Sequence, residues 1–336
     1  MTAPGGDAAA RAEWAGRRVL VTGATGMVGS VLVARLLDLG ADVVALVLDH
    51  DPRSELYRSG DVARVSVVSG RLEHYADVER ALLAHGAEAV FHLGAQTIVG
   101  TARRAPLATL ETNVRGTWNV LEACRRHADV VSAVVVASSD KAYGSVDELP
   151  YREDMALLGR EPYEVSKSCA DLVAQAYATS YGLPVAVARC GNVYGRGDLN
   201  WSRIVPGTIR SLLHDEQPVI RSDGTLVRDY LYVEDVADAY LRLAEAVVSG
   251  TAAGEAFNFS DESPLSVMEI YDAVCDAAER AGTPPLVLGE APGEIERQYL
   301  SAAKARAVLG WKPAFDLARG LRETVAWYRE LFGAAT

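Results

Sequence analysis

The chain has 336 residues, 49% hydrophobic and 23% charged, with a net charge of -12. That length accommodates one large α/β domain and a smaller one, with a full core. The acidic balance makes the chain a poor candidate for binding a nucleic-acid backbone by charge, and no apolar run reaches the ~20 residues needed to cross a bilayer.

Residues 1–16 are small and polar and lack the apolar stretch of a signal peptide. They are read as a disordered tail, and a cytoplasmic location is expected. Strands are predicted at 18–22, 43–48, 64–68, 89–93, 131–138 and 184–189. Helices are predicted between them at 27–39, 77–85, 107–127 and 163–181. This alternation argues for a Rossmann-type doubly wound α/β fold, a parallel sheet with helices on both faces. Near-continuous apolar strands such as VVALVL and SAVVVA fit a sheet covered on both sides. From about residue 190, Gly and Pro punctuate the chain, and helices are predicted at 205–214, 236–248, 266–281 and 317–332. The larger domain is expected at 17–190, with 226–248 returning to it. Residues 191–225 and 249–336 are expected to form a smaller C-terminal substrate-binding domain. Cys124, Cys169, Cys190 and Cys275 show no CxxC spacing and no histidine cluster. They are read as buried free thiols, and no metal site is expected.

The first strand runs into Gly23-Ala-Thr-Gly26-Met-Val-Gly29 and then a helix. Glycines there let the backbone turn tightly and approach a pyrophosphate, which the helix N-terminus then faces. An acid after the second strand would bind the adenosine ribose hydroxyls. Asp49 stands there, with Asp51 as a near alternative. That favours NAD over NADP, while Arg53 close by is a candidate for a 2′-phosphate.

Tyr163 and Lys167 form Tyr-x-x-x-Lys at the start of a predicted helix, one turn apart on one face. A lysine ammonium beside a tyrosine lowers the phenol pKa. The phenolate can then take a hydroxyl proton while hydride leaves for a nicotinamide. Ser139, Asp140 and Lys141 close the most apolar strand, and such strand ends face the ligand crevice. Ser139 can hydrogen-bond the hydroxyl being oxidised. Asp140 and Lys141 add an acid and a base candidate.

By these residues the chain resembles the extended short-chain dehydrogenase/reductase family, and within it the nucleotide-sugar epimerases and dehydratases. The resemblance covers residues 17–330. It includes His92-Leu-Gly-Ala-Gln96, Thr112-Asn-Val-Arg-Gly-Thr117, Arg189-Cys-Gly-Asn-Val-Tyr-Gly195, Arg228-Asp-Tyr-Leu-Tyr-Val-Glu-Asp235 and Leu309-Gly-Trp-Lys-Pro313. In the family, 4-epimerases carry small or neutral residues where this chain has Asp140 and Lys141. The dTDP-glucose dehydratases carry Asp-Glu there. Asp-Lys is most similar to CDP-glucose 4,6-dehydratases and to dehydratases that also invert C5. Gly191-Asn-Val-Tyr-Gly-Arg-Gly-Asp198 also resembles the CDP-glucose enzymes, whereas the Arg228 motif has the general family form. Arg71 stands where an aspartate often contacts the adenine.

The resemblance implies a tightly bound NAD, regenerated each turnover. Gly23, Thr25, Gly26, Met27, Val28, Gly29, Asp49, Leu72, Leu93, Ala95, Tyr163 and Lys167 would hold it. It implies a nucleotide-diphosphate sugar held by Gln96, Ser139, Asn192, Arg228 and Arg297, with Asn192 and the two arginines on the diphosphate. A homodimer through helices 107–127 and 163–181 is the family expectation. His92 and Asn113 read as supporting residues, and Trp201 as either a core residue or a platform for the base or sugar. The implied activity is 4,6-dehydration. Tyr163 deprotonates the C4 hydroxyl, Lys141 removes the C5 hydrogen, and Asp140 protonates the departing C6 hydroxyl. For this, something must offset the carboxylate beside Lys141, because a charged lysine is no base. A 4-epimerase is the first alternative, and a dinucleotide-binding regulator without catalysis the second.

Overall fold

The computed structural model describes residues 11–290 and 293–333. All six predicted strands are present: β1 (Arg18–Thr22), β2 (Asp42–Val47), β3 (Ser66–Ser69), β4 (Ala89–His92), β5 (Ala133–Ala137) and β6 (Val185–Cys190). A seventh strand, Ala256–Phe259, pairs parallel with β6. It lies inside 249–336, which the sequence reading gave wholly to the smaller domain. The sheet order is Ala256–Phe259, β6, β5, β4, β1, β2, β3, all parallel. The order therefore reverses between β1 and β4, and the carboxyl ends of these strands border the crevice where such folds bind ligands.

Successive residues of β1, β2, β4, β5 and β6 enter two separate cores, as the two-residue period of a pleated strand requires. Val19, Val21, Val43, Ala45, Phe91, Val135 and Ala186 face one core. Leu20, Val44, Leu46, Val90, Val134, Val136 and Val185 face the other. Helices Met27–Asp38 and Val233–Val248 pack together on the first face, and Tyr75–Leu83, Gly116–Arg126 and Pro162–Tyr181 line the second.

Two expectations need correction. The tail is not disordered throughout: residues 11–14 are helical and Trp14 is fully buried. Its indole packs on Phe91 at 5.8 Å between centroids, and its Nε1 donates to Glu245 Oε1 at 2.9 Å. A tryptophan with a partner for its N–H gains enough from burial to order the preceding turn. Residues 1–10 lie outside the described residues. The helix read at 107–127 is broken into Pro106–Leu110, a π-helical turn Glu111–Arg115, and Gly116–Arg126. Such π turns concentrate at functional sites, and this one carries Asn113.

Beyond β6, short strands knit the rest of the chain together. Asn192–Tyr194 pairs with Tyr230–Tyr232. Val227–Arg228 lies between Leu265–Ser266 and Arg297–Gln298. Helices Ile204–Leu213, Val267–Ala277 and Leu317–Leu331 pack on one another. Trp201 packs against them, half-buried, with Tyr328 and Phe332 at 5.9 and 5.8 Å.

Candidate active site

The glycine loop leaves β1 with Gly23 at φ +73°, and a Cβ there would lie 2.7 Å from Gly94 N. A Cβ on Gly29 would lie 2.0 Å from Gly23 O. Neither position can carry a side chain. Gly26 caps helix Met27–Asp38 without a side-chain hydrogen bond. Its first-turn amides are therefore left for an anion. Thr25, Met27 and Val28 are half-buried beside it. Leu72, Leu93 and Ala95 are half-buried just beyond β3 and β4. Asp49 is exposed two residues past β2. Arg53 is held by Asp51, with both fork contacts at 3.1 Å. This donor set fits a dinucleotide with free ribose hydroxyls. Arg71 is exposed; its backbone N–H donates to Asp77 Oδ2 at 3.0 Å.

Helix Pro162–Tyr181 starts where it does because Glu161 and Glu164 form a capping box around Pro162. This sets Tyr163 and Lys167 one turn apart, both buried. The expected lowering of the phenol by Lys167 is not found. Lys167 Nζ donates to Ala137 O at 2.8 Å. Burial pushes the Tyr163 phenol up to about 12 and Asp140 adds to this, while Arg203 and Ser139 oppose it. Burial also brings Lys167 down to about 8, against Asp171 and Cys190.

Ser139 stands two residues past β5 and caps the 3-10 turn Asp140–Tyr143. Its Oγ donates to Asp140 Oδ1 at 2.9 Å and accepts from Lys141 N at 3.2 Å. Asp140 is 2% exposed, and its Oδ2 has no hydrogen-bond partner among the described residues. Burial raises the Asp140 pKa, with Lys141, Ser139 and Arg228 acting against it. Burial lowers Lys141, Asp140 opposes, and Arg228 lowers it further. Burial and Arg228, rather than Lys167, thus offset the neighbouring carboxylate. Burial thus acts against the charged form of both groups.

Behind this turn lies a buried polar network. Arg189 grips Asp171 with two bonds, at 2.8 and 2.9 Å, and donates to Tyr143 Oη at 2.8 Å. Tyr143 Oη donates to Asn258 Oδ1 at 2.8 Å. His92 is buried between Thr22 Oγ1 at 2.8 Å and Thr117 Oγ1 at 3.0 Å. Thr117 spends its proton on Asn113 O, so the histidine donates from Nε2 and accepts at Nδ1. Burial first and then Lys167 lower its pKa to about 3, so it stays neutral. Asn113 clamps the Gln96 backbone from both sides, at 2.7 and 2.9 Å, and donates to Ser166 Oγ at 2.9 Å.

The expected substrate residues are only partly assembled. The Gln96 side chain is turned back onto Ile98, donating to its carbonyl at 3.0 Å. Asn192 is half-buried on its short strand. Arg228 is 6% exposed and wrapped by its own chain. It donates to Val227 O at 2.7 Å, to Ile295 O at 2.5 Å, and to Glu294 Oε2 at 3.4 Å. Arg297 is exposed over the Tyr299 ring at 6.0 Å. The sequence reading missed Arg203, whose charge bears on Tyr163. It also missed Gln298, fully buried, which accepts from Lys141 Nζ and donates to Asp140 O at 3.0 Å. Neither has a local sequence signal.

The NAD dependent epimerase/dehydratase family matches residues 19–259. A dTDP-glucose 4,6-dehydratase of Streptomyces griseus is 33% identical over 320 residues, 93% of this chain and 94% of that protein. A CDP-glucose 4,6-dehydratase of Salmonella typhimurium is 31% identical over 332 residues, 94% of this chain and 91% of that protein. The UDP-glucose 4-epimerase of Thermus thermophilus, solved in complex with NAD, superposes with a TM-score of 0.81 at 31% identity. That superposition covers 95% of this chain and 100% of the other. On its sheet, its glycine loop and these matches, the chain belongs to the NAD dependent epimerase/dehydratase family.

Proposed function

We propose that this protein is an NAD-dependent 4,6-dehydratase that converts a nucleotide-diphosphate hexose to its 4-keto-6-deoxy form. The observation that carries this reading is the Asp140–Lys141 pair at the end of β5, a carboxyl raised by burial beside an amine lowered by it. Relatives named dTDP- and CDP-glucose 4,6-dehydratase support it. The dinucleotide supplies reversible hydride acceptance at C4 and donation at C6. Gly23, Gly26 and Gly29 hold its pyrophosphate at the helix start and Asp49 its ribose, with Arg53 already committed to Asp51.

Tyr163 takes the C4 hydroxyl proton, with Ser139 orienting that hydroxyl. Burial keeps the phenol a weak acid, and Arg203, with the Ser139 hydrogen bond, supplies the opposing pull that favours its ionised form. The C4 ketone acidifies the C5 hydrogen. Lys141 removes that hydrogen as a proton, Asp140 delivers its own proton to the C6 hydroxyl, and water leaves. Asn192, Arg228 and Arg297 hold the diphosphate. Arg228 is available to it once it exchanges Glu294 for phosphate oxygens. The sheet domain carries the dinucleotide, and the region after β6 carries the sugar nucleotide. The chain pairs with a second copy through helices Gly116–Arg126 and Pro162–Tyr181, which expose Trp118 and Leu172 at 42% and 53%.

Incubation with CDP-, UDP-, dTDP- and GDP-glucose, followed by mass spectrometry, tests the reaction. Loss of one water from one of these sugars is expected. An isomer of unchanged mass would instead establish the 4-epimerase reading, which the likeness to a UDP-glucose 4-epimerase favours. In that chemistry the ketone is re-reduced on its other face, and Asp140 and Lys141 have no proton to move.

A further inference from the structure

We propose that Gln298 is a positioning residue that holds Lys141 through its whole proton cycle while adding no charge beside it. The inference rests on the dehydratase reading for the use of that lysine, but its geometry stands alone. Gln298 is fully buried. It lies on the strand Arg297–Gln298, in register with Arg228 on Val227–Arg228. Side chains alternate along this strand, so exposed Arg297 leaves Gln298 facing inward. Just beyond, Leu300 bridges to Tyr151, which fixes the strand on both sides of the glutamine.

The amide orientation follows from chemistry. A backbone carbonyl only accepts, so the group that meets Asp140 O must be Nε2. Oε1 is then the atom that meets Lys141 Nζ. An ammonium and a neutral amine both carry N–H groups, so this bond survives loss of the proton. The lone pair of the neutral amine stays free for the C5 hydrogen. A glutamate at 298 would instead supply a second carboxylate and favour the ammonium. The charged groups facing Lys141 are Asp140 on its own turn, Arg228 on the neighbouring strand, Glu294 on the approach to Gln298, and Glu164 on helix Pro162–Tyr181. The amide adds to none of them.

The chain has four lysines, Lys141, Lys167, Lys304 and Lys312. Each Cε signal can therefore be followed by NMR in protein with labelled lysine, and the Lys141 signal is the one missing from Lys141→Arg. In Gln298→Glu, the Lys141 titration midpoint is expected to rise by roughly one pH unit or more, with Lys304 unmoved as an internal control. In Gln298→Met, the Lys141 signal is expected to sharpen as the side chain loses its anchor. A midpoint unchanged in Gln298→Glu overturns the proposal. If that variant does not fold, an unchanged line width in Gln298→Met overturns it. In single turnover, the acid limb of water elimination should move with the midpoint in Gln298→Glu, while formation of reduced nicotinamide does not. A moved midpoint with an unmoved limb upholds Gln298 as the anchor and removes Lys141 as the base, so the two readings fail separately.

Discussion

Tyr163–Lys167 and Asp140–Lys141 serve one site but are held in contrasting ways. The first pair stands on a single helix whose start is set by its own Glu161 and Glu164. The second sits on one 3-10 turn held from far along the chain by Gln298 and by the Arg189–Tyr143–Asn258 network, with Arg228 bearing on its charge. The spacing of the redox pair is thus set locally by one helix, while Arg203 bears on its phenol and Ala137 anchors its lysine. The acid–base half is a property of the assembled fold.

The two halves should separate cleanly in variants. Tyr163→Phe removes the group that starts the cycle, so both reduced-nicotinamide formation and product should fall by ~10³-fold, within the range of a lost general base. Retention of the first oxidation in Tyr163→Phe would break the division. Lys141→Ala should lower product by ~10²-fold while C4 oxidation persists, visible as accumulating reduced-nicotinamide absorbance. Unchanged product in that variant would remove the lysine from the mechanism.

The same contrast explains what could be read from the chain. The glycine loop, Tyr163 and Lys167, and Asp140 and Lys141 are contiguous signals on elements whose period is visible. The sheet followed from its apolar runs for the same reason. The seventh strand was missed because Ala256–Phe259 follows the irregular, glycine-punctuated stretch after β6 and returns to pair with β6 from beyond it. Trp14 looked like part of a polar tail because its partners, Phe91 and Glu245, are far away in sequence. Lys167 was expected to act on the phenol because spacing places it near, but spacing says nothing of the Ala137 carbonyl that accepts its hydrogen bond. Gln298 is invisible for the same reason: nothing near it in sequence marks it as a partner of residue 141.

The network behind the turn gives the next largest effect. Arg189 and Asp171 are 2% and 0% exposed. Asp171→Ala leaves a buried guanidinium uncompensated, and a cost of about 3–5 kcal/mol is expected, read as a lowered urea midpoint. Replacing both partners by apolar residues of similar volume, Asp171→Leu with Arg189→Met, should cost less than the single change. Equal losses in the two would mean that the pair acts through shape rather than charge.

The smallest expected effect tests the floor of the remotely held half. Asp229 Oδ2 accepts from Leu300 N at 3.3 Å and from Ser260 Oγ, while its Oδ1 lies where a Cβ on Gly191 would stand, at 2.2 Å. Burial raises its pKa to about 7; Ser260 opposes this and Asp140 adds to it. A carboxyl with a higher pKa folded than unfolded binds its proton more tightly in the native state. Its contribution to stability is full below the ordinary value of 3.8 and is lost as pH rises through about 7. Asp229→Asn has no proton to lose, so its stability should not share this decline. From about pH 5 to about pH 8 the variant should gain on the parent by ~2–3 kcal/mol, since a tenfold change in proton affinity corresponds to ~1.4 kcal/mol. Urea midpoints at the two pH values measure it. Parallel pH dependence in parent and variant would mean that Asp229 already titrates as it does unfolded, and that the fold beneath Arg228 tolerates a buried charge.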